Sequence, residues 1–195
     1  MSATAIQTRD VTAEEYLAAE ARATEKHDYV DGAVYAMAGA SEAHNIIAMN
    51  LYRLLGSQLR GKPCQPFGSD MKVWVRSEPG QCFYYPDAMV ACDAEDSGHG
   101  WRERPAVLFE ILSEETRRVD EREKRLVYWR IPSLRAYVRL EQDKPAAVVD
   151  RRLPGTEPEG WLAESLEGLS AILRLPDVGL QLPLAELYER VRFPR

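Results

Sequence analysis

The sequence has few cysteines, few histidines and no long apolar run. Three of its 195 residues are cysteines, Cys64, Cys82 and Cys92, and three are histidines. The odd cysteine number and the spacings match no zinc-binding pattern, so we expect three reduced, mostly buried thiols. No apolar stretch approaches the roughly 18 residues that a membrane-spanning helix needs, so the sequence predicts no such helix.

A strong excess of basic residues is also missing. The net charge of -6 argues against a protein coated in basic surface for nucleic acid. Residues 101–140 nevertheless hold ten Lys/Arg against seven Asp/Glu, which is typical of a modest basic region or of a solvated helix face. The first ten residues have neither the basic segment nor the apolar segment of a secretory signal, so we expect a cytoplasmic location.

The length and composition are those of an ordinary globular domain, with 45% hydrophobic and 29% charged residues. We expect one domain over 1–195, with a core at about 10–150 and an extension of strand and helix over 151–195. Helices are predicted over 12–23, 41–60, 116–130 and 184–191. Strands are predicted over 28–30 and 33–37 (a hairpin), 70–76, 88–92, 106–112, 135–140, 146–152 and 161–166. This order predicts an α/β protein with a mixed central sheet flanked by helices.

Two acidic residues occupy unusual places in the strand pattern. Asp87 follows Pro86 directly before the apolar run at 88–92, and Glu110 lies inside the apolar run 106–112. An unpaired charge in a buried strand costs several kcal/mol, so such a carboxylate needs a partner. Two carboxylates on neighbouring strands could share one Mg²⁺ or Mn²⁺, since both ions prefer oxygen ligands. The same pattern is also typical of two structural acids that are satisfied within the protein.

A lysine follows on the next predicted helix. The helical wheel places Lys124 between Tyr128 and Ile131, on the border of the side that faces the sheet. From there its ammonium group could orient water or hold a phosphate oxygen. The alternative is an exposed lysine that pairs with Asp120 one turn earlier.

These motifs carry a resemblance to a known family. The quoted strings are Tyr85-Pro86-Asp87, Leu108 to Ser113, Thr116 to Lys124 followed by Tyr128, His27 to Gly32, Ala38 to His44, and Ile131 to Tyr137. Their order over about residues 10–150 resembles the Uma-type restriction endonuclease family of the PD-(D/E)XK nuclease superfamily. The resemblance implies a restriction endonuclease-like fold and Mg²⁺-dependent cleavage of DNA.

By resemblance, Asp87 is the motif aspartate and Glu110 the motif acid, and both would hold the metal. The superfamily places a lysine two residues after the acid, but Leu112 occupies that position, so the catalytic lysine would be Lys124 on the following helix. Cleavage in this chain therefore depends on Lys124.

Further candidates for the metal or water are weaker. They are Asp28, Asp70 and His44, which lies in the first turn of the predicted helix 41–60. Trp74 and Trp101 could stack on bases, although core packing is the simpler interpretation. The alternative function is a catalytically inactive module on the same fold that binds nucleic acid or a protein. A homodimer would suit double-strand cutting, and the DNA target, a preference for DNA over RNA and the cellular role stay open.

Overall fold

The computed structural model describes residues 5–7, 10–37, 39–77, 80–96, 100–113, 117, 119–155 and 160–193. The strands are β1 (Ala5–Gln7), β2 (His27–Val30), β3 (Ala33–Ala36), β4 (Gln65–Gly68), β5 (Lys72–Ser77), β6 (Gly80–Tyr84), β7 (Ala88–Ala91), β8 (Trp101–Arg102), β9 (Pro105–Leu112), β10 (Ala136–Glu141), β11 (Ala146–Arg152), β12 (Trp161–Glu167), β13 (Ile172–Leu175) and β14 (Leu180–Pro183). The helical elements are α1 (Ala13–Glu20), α2 (Glu42–Leu59), a π-helical turn (Val119–Lys124), α3 (Arg125–Tyr128), a 3-10 turn (Pro176–Val178) and α4 (Leu184–Leu187). None of the helices in these ranges is long and apolar enough to cross a membrane.

The central sheet has six strands in the order β12-β11-β10-β9-β7-β4. Strands β9 and β10 are parallel, while the other neighbouring pairs are antiparallel. A second sheet has the order β1-β3-β2-β6-β5-β8, and β13 pairs with β14. The predicted mixed sheet with flanking helices is therefore confirmed, and the segment between β9 and β10 connects two parallel strands.

Both faces of the central sheet are covered. One face packs against α2, whose apolar side chains Ile47, Leu51 and Leu55 are fully buried. The other face carries a second cluster that includes Met89 and Leu108. Strand β9 is buried along its whole length, as the continuous apolar run predicts for a strand enclosed on both sides.

Local sequence signals fix several elements as predicted. Thr12 and Glu15 form a reciprocal capping box at the start of α1. Ser41 caps α2 by accepting a hydrogen bond from the backbone N–H of His44. The turn between β2 and β3 has positive φ at Asp31 (45°) and Gly32 (91°), the conformation that favours Asp-Gly in a two-residue hairpin.

The helix predicted over 116–130 is different in the structure. Residues Val119–Lys124 form a π-helical turn and Arg125–Tyr128 form a short α-helix, while 114–116 and 118 lie outside the described residues. Single π turns inside helices widen the hydrogen-bond spacing and recur at functional sites. Strands β1, β4, β6, β8, β13 and β14 were not predicted.

The prediction of three reduced thiols is wrong. Cys64 and Cys92 form a disulfide, and only Cys82 is a free, buried thiol. Gln65 pairs with Ala91 across β4 and β7, so the same register places the two half-cystines opposite each other one residue beyond the paired strands. The partner of each cysteine was set by strand register, which the odd count does not reveal.

Trp74 and Trp101 are partly buried and pack against the core. Trp74 stacks on Phe83 with ring centroids 4.8 Å apart, and Trp101 meets Trp74 edge to face at 5.4 Å. Both pack against the buried cluster under α1. The core interpretation of these two residues is therefore confirmed.

Candidate active site

Strand register brings Asp87 and Glu110 together. Ala88 pairs with Phe109 across the antiparallel strands β7 and β9, so one residue further on Asp87 lies opposite Glu110. Alternation places Glu110 on the face that carries Leu108, whereas Asp87 lies just before β7 and its carboxylate contacts His44 of α2. Directly opposite residues in an antiparallel pair have Cβ atoms about 4.5–5.5 Å apart. The two acidic residues are thus neighbours at one end of the central sheet.

Asp87 is held at both its carboxylate and its carbonyl. Its Oδ2 accepts a hydrogen bond from the backbone N–H of Ile111 at 2.7 Å and lies 3.1 Å from Nε2 of His44. The Tyr52 hydroxyl donates to the Asp87 carbonyl at 2.8 Å. His44 and Tyr52 both come from α2, so this helix orients Asp87 from outside the sheet.

The Tyr52 ring fits against a glycine on the edge strand. A Cβ at Gly68 in β4 would lie 3.3 Å from Cζ of Tyr52. The hydroxyl of Tyr52 also accepts a hydrogen bond from the backbone N–H of Ser69 at 3.3 Å. The missing side chain at Gly68 therefore lets Tyr52 reach Asp87.

Glu110 is a buried acid with two donors on one oxygen. Only 3% of the residue is exposed. Its Oε1 accepts hydrogen bonds from Nζ of Lys124 at 3.1 Å and from the Tyr128 hydroxyl at 3.0 Å. Burial raises the pKa of Tyr128 well above its ordinary value, and the nearby Glu110 charge raises it further. Tyr128 is therefore a neutral hydroxyl donor.

Lys124 lies at the end of the π-helical turn and points inward. It is 6% exposed, and its Nζ is 4.0 Å from Oδ2 of Asp28 as well as 3.1 Å from Oε1 of Glu110. Asp28 in β2 also accepts a hydrogen bond from the backbone N–H of Tyr85 at 3.2 Å through Oδ1. One ammonium group thus connects the carboxylates of both large sheets, and the exposed alternative for Lys124 is excluded.

A second polar cluster lies beside this site. Glu20 accepts hydrogen bonds from the Tyr85 hydroxyl and from the backbone N–H of His27, both at 2.9 Å, and its other oxygen lies 2.9 Å from Nδ1 of His27. Lys72 donates to the Tyr85 hydroxyl at 3.1 Å. Burial lowers the pKa of Lys72 and raises the pKa of Tyr85. This cluster anchors Tyr85, which leads into Pro86 and Asp87.

A family model matches residues 13–185 of this sequence, and that family is named Uma2 and described as "Putative restriction endonuclease". The chain belongs to the Uma2 family. The sequence resemblance is therefore confirmed over most of the chain, including the strands that carry Asp87 and Glu110 and the turn that carries Lys124.

Curated relatives are similar over much of their length. One from Synechocystis sp., named "Uncharacterized protein slr1290", is 31% identical over 182 residues, which is 92% of each chain. Another from the same organism, "Uncharacterized protein sll1609", is 33% identical over 138 residues, 69% of this chain and 77% of that protein.

A solved structure shares the fold. It is a crystal structure of a protein from Anabaena variabilis described as a "putative nuclease belonging to DUF820". The two chains superpose with a TM-score of 0.68 at 15% identity, covering 93% of this chain and 99% of that chain. The restriction endonuclease-like fold of this Uma2 chain is therefore confirmed.

Of the three weaker site candidates, two lie beside the Asp87 and Glu110 pair and one lies on the surface away from it. Asp28 contacts Lys124 and His44 contacts Asp87, so both adjoin the carboxylate pair. Asp70 is elsewhere: its side chain is 93% exposed and pairs with Lys26 on a surface turn. Sequence reasoning assigned no role to Tyr128, although its position four residues after Lys124 puts both side chains on one face of a helix.

The acidic residues of this site suit a hydrated magnesium ion, which needs few protein ligands, and not a metal ion that is enclosed entirely by protein ligands. Among the described residues no three His, Cys, Asp or Glu side chains converge as a metal-binding group. Mg²⁺ keeps several waters and is usually bound through one or two carboxylates together with substrate phosphate. Asp87 and Glu110 supply that donor set, with hard carboxylate oxygens at neighbouring positions at the sheet end. The residues present therefore fit a hydrated Mg²⁺ or Mn²⁺.

Proposed function

We propose that this chain is a Mg²⁺-dependent endonuclease that hydrolyses phosphodiester bonds in DNA, with Mn²⁺ as an alternative metal. Asp87 and Glu110 would hold the ion, and Lys124 would orient water or a phosphate oxygen. The observation that carries the proposal is the placement of a buried lysine between Glu110 and Asp28 beside an opposed carboxylate pair. Membership of the Uma2 family, which is described as "Putative restriction endonuclease", supports the same reaction class.

When bound, the ion would polarise the phosphate and make a bound water a better nucleophile. The protein's own groups would perform the positioning. Lys124 carries a flexible four-carbon stem, so its ammonium group can move from Glu110 towards a phosphate oxygen and offset the negative charge that develops there. His44 keeps the Asp87 carboxylate oriented through Oδ2, and Asp28 keeps Lys124 within the site. Asp70 has no part in this proposal because it lies on the surface with Lys26.

DNA is the proposed substrate because the basic segment 101–140 carries Lys124 itself. Phosphate contacts by basic residues supply most of the sequence-independent affinity for nucleic acid. The acidic balance of the remaining chain confines that attraction to the neighbourhood of the site. Cutting both strands of a duplex would call for two copies of the chain, so a homodimer is part of the proposal for double-strand products.

The test is metal-dependent nicking of supercoiled DNA by the wild type beside Asp87→Asn and Glu110→Gln. Each change keeps the shape of the side chain and removes one negative ligand, so we expect losses of at least about 100-fold, the order that one misplaced catalytic group can cost. Asp70→Asn is the matched control, since it removes an equivalent charge outside the site and should keep wild-type activity. A single-stranded RNA of the same sequence decides between the two nucleic acids.

Two outcomes would overturn the proposal. Equal nicking by the wild type and both site variants would remove Asp87 and Glu110 from the mechanism. DNA binding without cleavage in Mg²⁺ or Mn²⁺ would instead favour a non-catalytic binding module on this fold. The proportion of linear to nicked product, measured against protein concentration, tests the homodimer.

A further inference from the structure

One short helical segment delivers two different donors to a single carboxylate oxygen. Lys124 ends the π-helical turn and Tyr128 ends α3, four residues later. Their side chains reach Oε1 of Glu110 at 3.1 Å and 3.0 Å. The two donors are chemically unlike: one is a cation on a flexible stem, and the other is a neutral hydroxyl on a rigid ring.

The Tyr128 ring is fixed by its neighbours. It is fully buried and meets Tyr84 edge to face at 5.6 Å and Tyr137 edge to face at 5.2 Å. Close packing of this kind locks a ring in one rotamer, because any other rotamer would collide with the surrounding side chains. The hydroxyl therefore stays aimed at Glu110.

Lys124 is bound less exclusively. Its Nζ has Glu110 on one side and Asp28 on the other, and it lies 5.6 Å from the centre of the Tyr84 ring. A lysine that engages a phosphate oxygen must lengthen at least one of these contacts. If Lys124 were the main hydrogen-bond donor that orients Glu110, its movement to the substrate would leave the Glu110 carboxylate without that donor. The loss would come during the reaction, when Glu110 must keep its orientation.

We propose that Tyr128 is the positioning residue of Glu110 and holds this carboxylate towards the metal while Lys124 serves the substrate. This inference rests on the proposed nuclease function. Tyr128 is too deeply buried to touch DNA, so it acts only through Glu110. Tyr128 is thus the fixed donor to Oε1 of Glu110, and Lys124 is the mobile donor that can move to the substrate.

The positioning role predicts how nicking by Tyr128→Phe depends on the Mg²⁺ concentration. Tyr128→Phe keeps the ring and deletes the hydroxyl, so Glu110 keeps its place but loses its fixed donor. Outer-sphere hydrogen bonds of this kind typically change metal affinity by about 10–100-fold. Nicking by the variant should therefore fall at limiting Mg²⁺ and recover to near the wild-type rate at saturating Mg²⁺. A loss of packing alone would not be repaired by metal.

The direct measurement is Mn²⁺ binding in the absence of DNA, by calorimetry or electron paramagnetic resonance. Tyr84→Phe is the matched control, because it deletes a hydroxyl that interacts with Cys82 and leaves the same ring under Lys124. We expect Tyr128→Phe to bind Mn²⁺ about 10–100-fold more weakly and Tyr84→Phe to bind within about threefold of the wild type. Lys124→Met, measured alongside, should bind Mn²⁺ at least as tightly as the wild type, because a neighbouring positive charge is removed, while losing nicking.

The outcomes separate this inference from the proposed function. Wild-type protein that binds no Mn²⁺ would overturn both. Wild-type binding with unchanged affinity in Tyr128→Phe would overturn the positioning role alone. Loss of Mn²⁺ affinity in Lys124→Met with none in Tyr128→Phe would also overturn it, since the support would then be the lysine. If thermal melting shows that Tyr128→Phe is poorly folded, Lys124→Met decides alone: a folded Lys124→Met protein that has lost Mn²⁺ affinity would overturn the positioning role of Tyr128, and one that keeps it would support that role.

Discussion

Replacing Lys124 by methionine tests the electrostatics of the site without any assay of activity. The change keeps most of the apolar stem and removes the ammonium group that lies 3.1 Å from Glu110 and 4.0 Å from Asp28. Glu110 is 3% exposed, so it cannot recover its hydration when the lysine is lost. Breaking a buried ion pair by removing one partner typically costs about 3–5 kcal/mol.

A loss of this size in the free energy of unfolding is large enough to measure as a decrease in Tm. A chain of this length loses roughly 2–4 °C of Tm for each kcal/mol, so Lys124→Met should melt about 6–20 °C below the wild type. Added Mg²⁺ should raise the Tm of the variant more than that of the wild type, because the ion would offset the two uncompensated carboxylates. Circular dichroism or scanning calorimetry at low ionic strength measures both effects.

A surface lysine provides the control. Lys144 pairs with Glu167 at 3.4 Å, but their side chains are 57% and 74% exposed. Exposed pairs of this kind are worth at most about 1 kcal/mol, so Lys144→Met should melt within a few degrees of the wild type. The reasoning fails if Lys124→Met melts as high as this control without metal.

Three further predictions concern stability and thiol chemistry. Arg139→Leu should lower the free energy of unfolding by about 3–5 kcal/mol in a denaturant titration, because Asp150, 1% exposed and bonded to Arg139 at 2.7 Å, would lose its partner. Burial raises the pKa of Cys82 to about 11, so at pH 8 only about one thiol in a thousand is a thiolate. Native protein should then resist alkylation with iodoacetamide at pH 8 by mass spectrometry, and rapid labelling of Cys82 would contradict its burial. Reduction of the Cys64–Cys92 disulfide, which spans 28 residues, should destabilise the protein by about 3–4 kcal/mol in the chain-entropy picture, and an unchanged Tm in dithiothreitol would contradict that bond.

The sequence predicts the placement of the candidate site residues well where the signal is local. An acid inside an apolar strand marks Glu110, and proline before an apolar run marks Asp87, because each is an exception to a short periodic pattern. The helical wheel at α-helical spacing places Lys124 on the inward border, and the structure has it buried there. These residues therefore lie together as the strand pattern suggests, although their chemical roles stay predictions.

Features that depend on distant register were not predictable. Cys64 and Cys92 form a disulfide because the register of β4 with β7 places them opposite each other, and the sequence around each cysteine does not indicate its partner. The role of Tyr52 depends on how α2 lies over the start of β7. The π-helical turn is a shift in hydrogen-bond spacing that accompanies the inward placement of Lys124, and helical periodicity in the sequence is too coarse to show it.

The contact between Tyr52 and Gly68 has a consequence for how this fold tolerates change. Gly68 lies on the edge strand β4 and has no side chain, so a search for reactive or charged residues would not select it. An alanine there would push on the Tyr52 ring, and the Tyr52 hydroxyl would carry the displacement to the Asp87 carbonyl. The effect of a substitution at the edge of the sheet can therefore reach Asp87 through packed atoms, and Gly68 takes part in this path although it has no side chain.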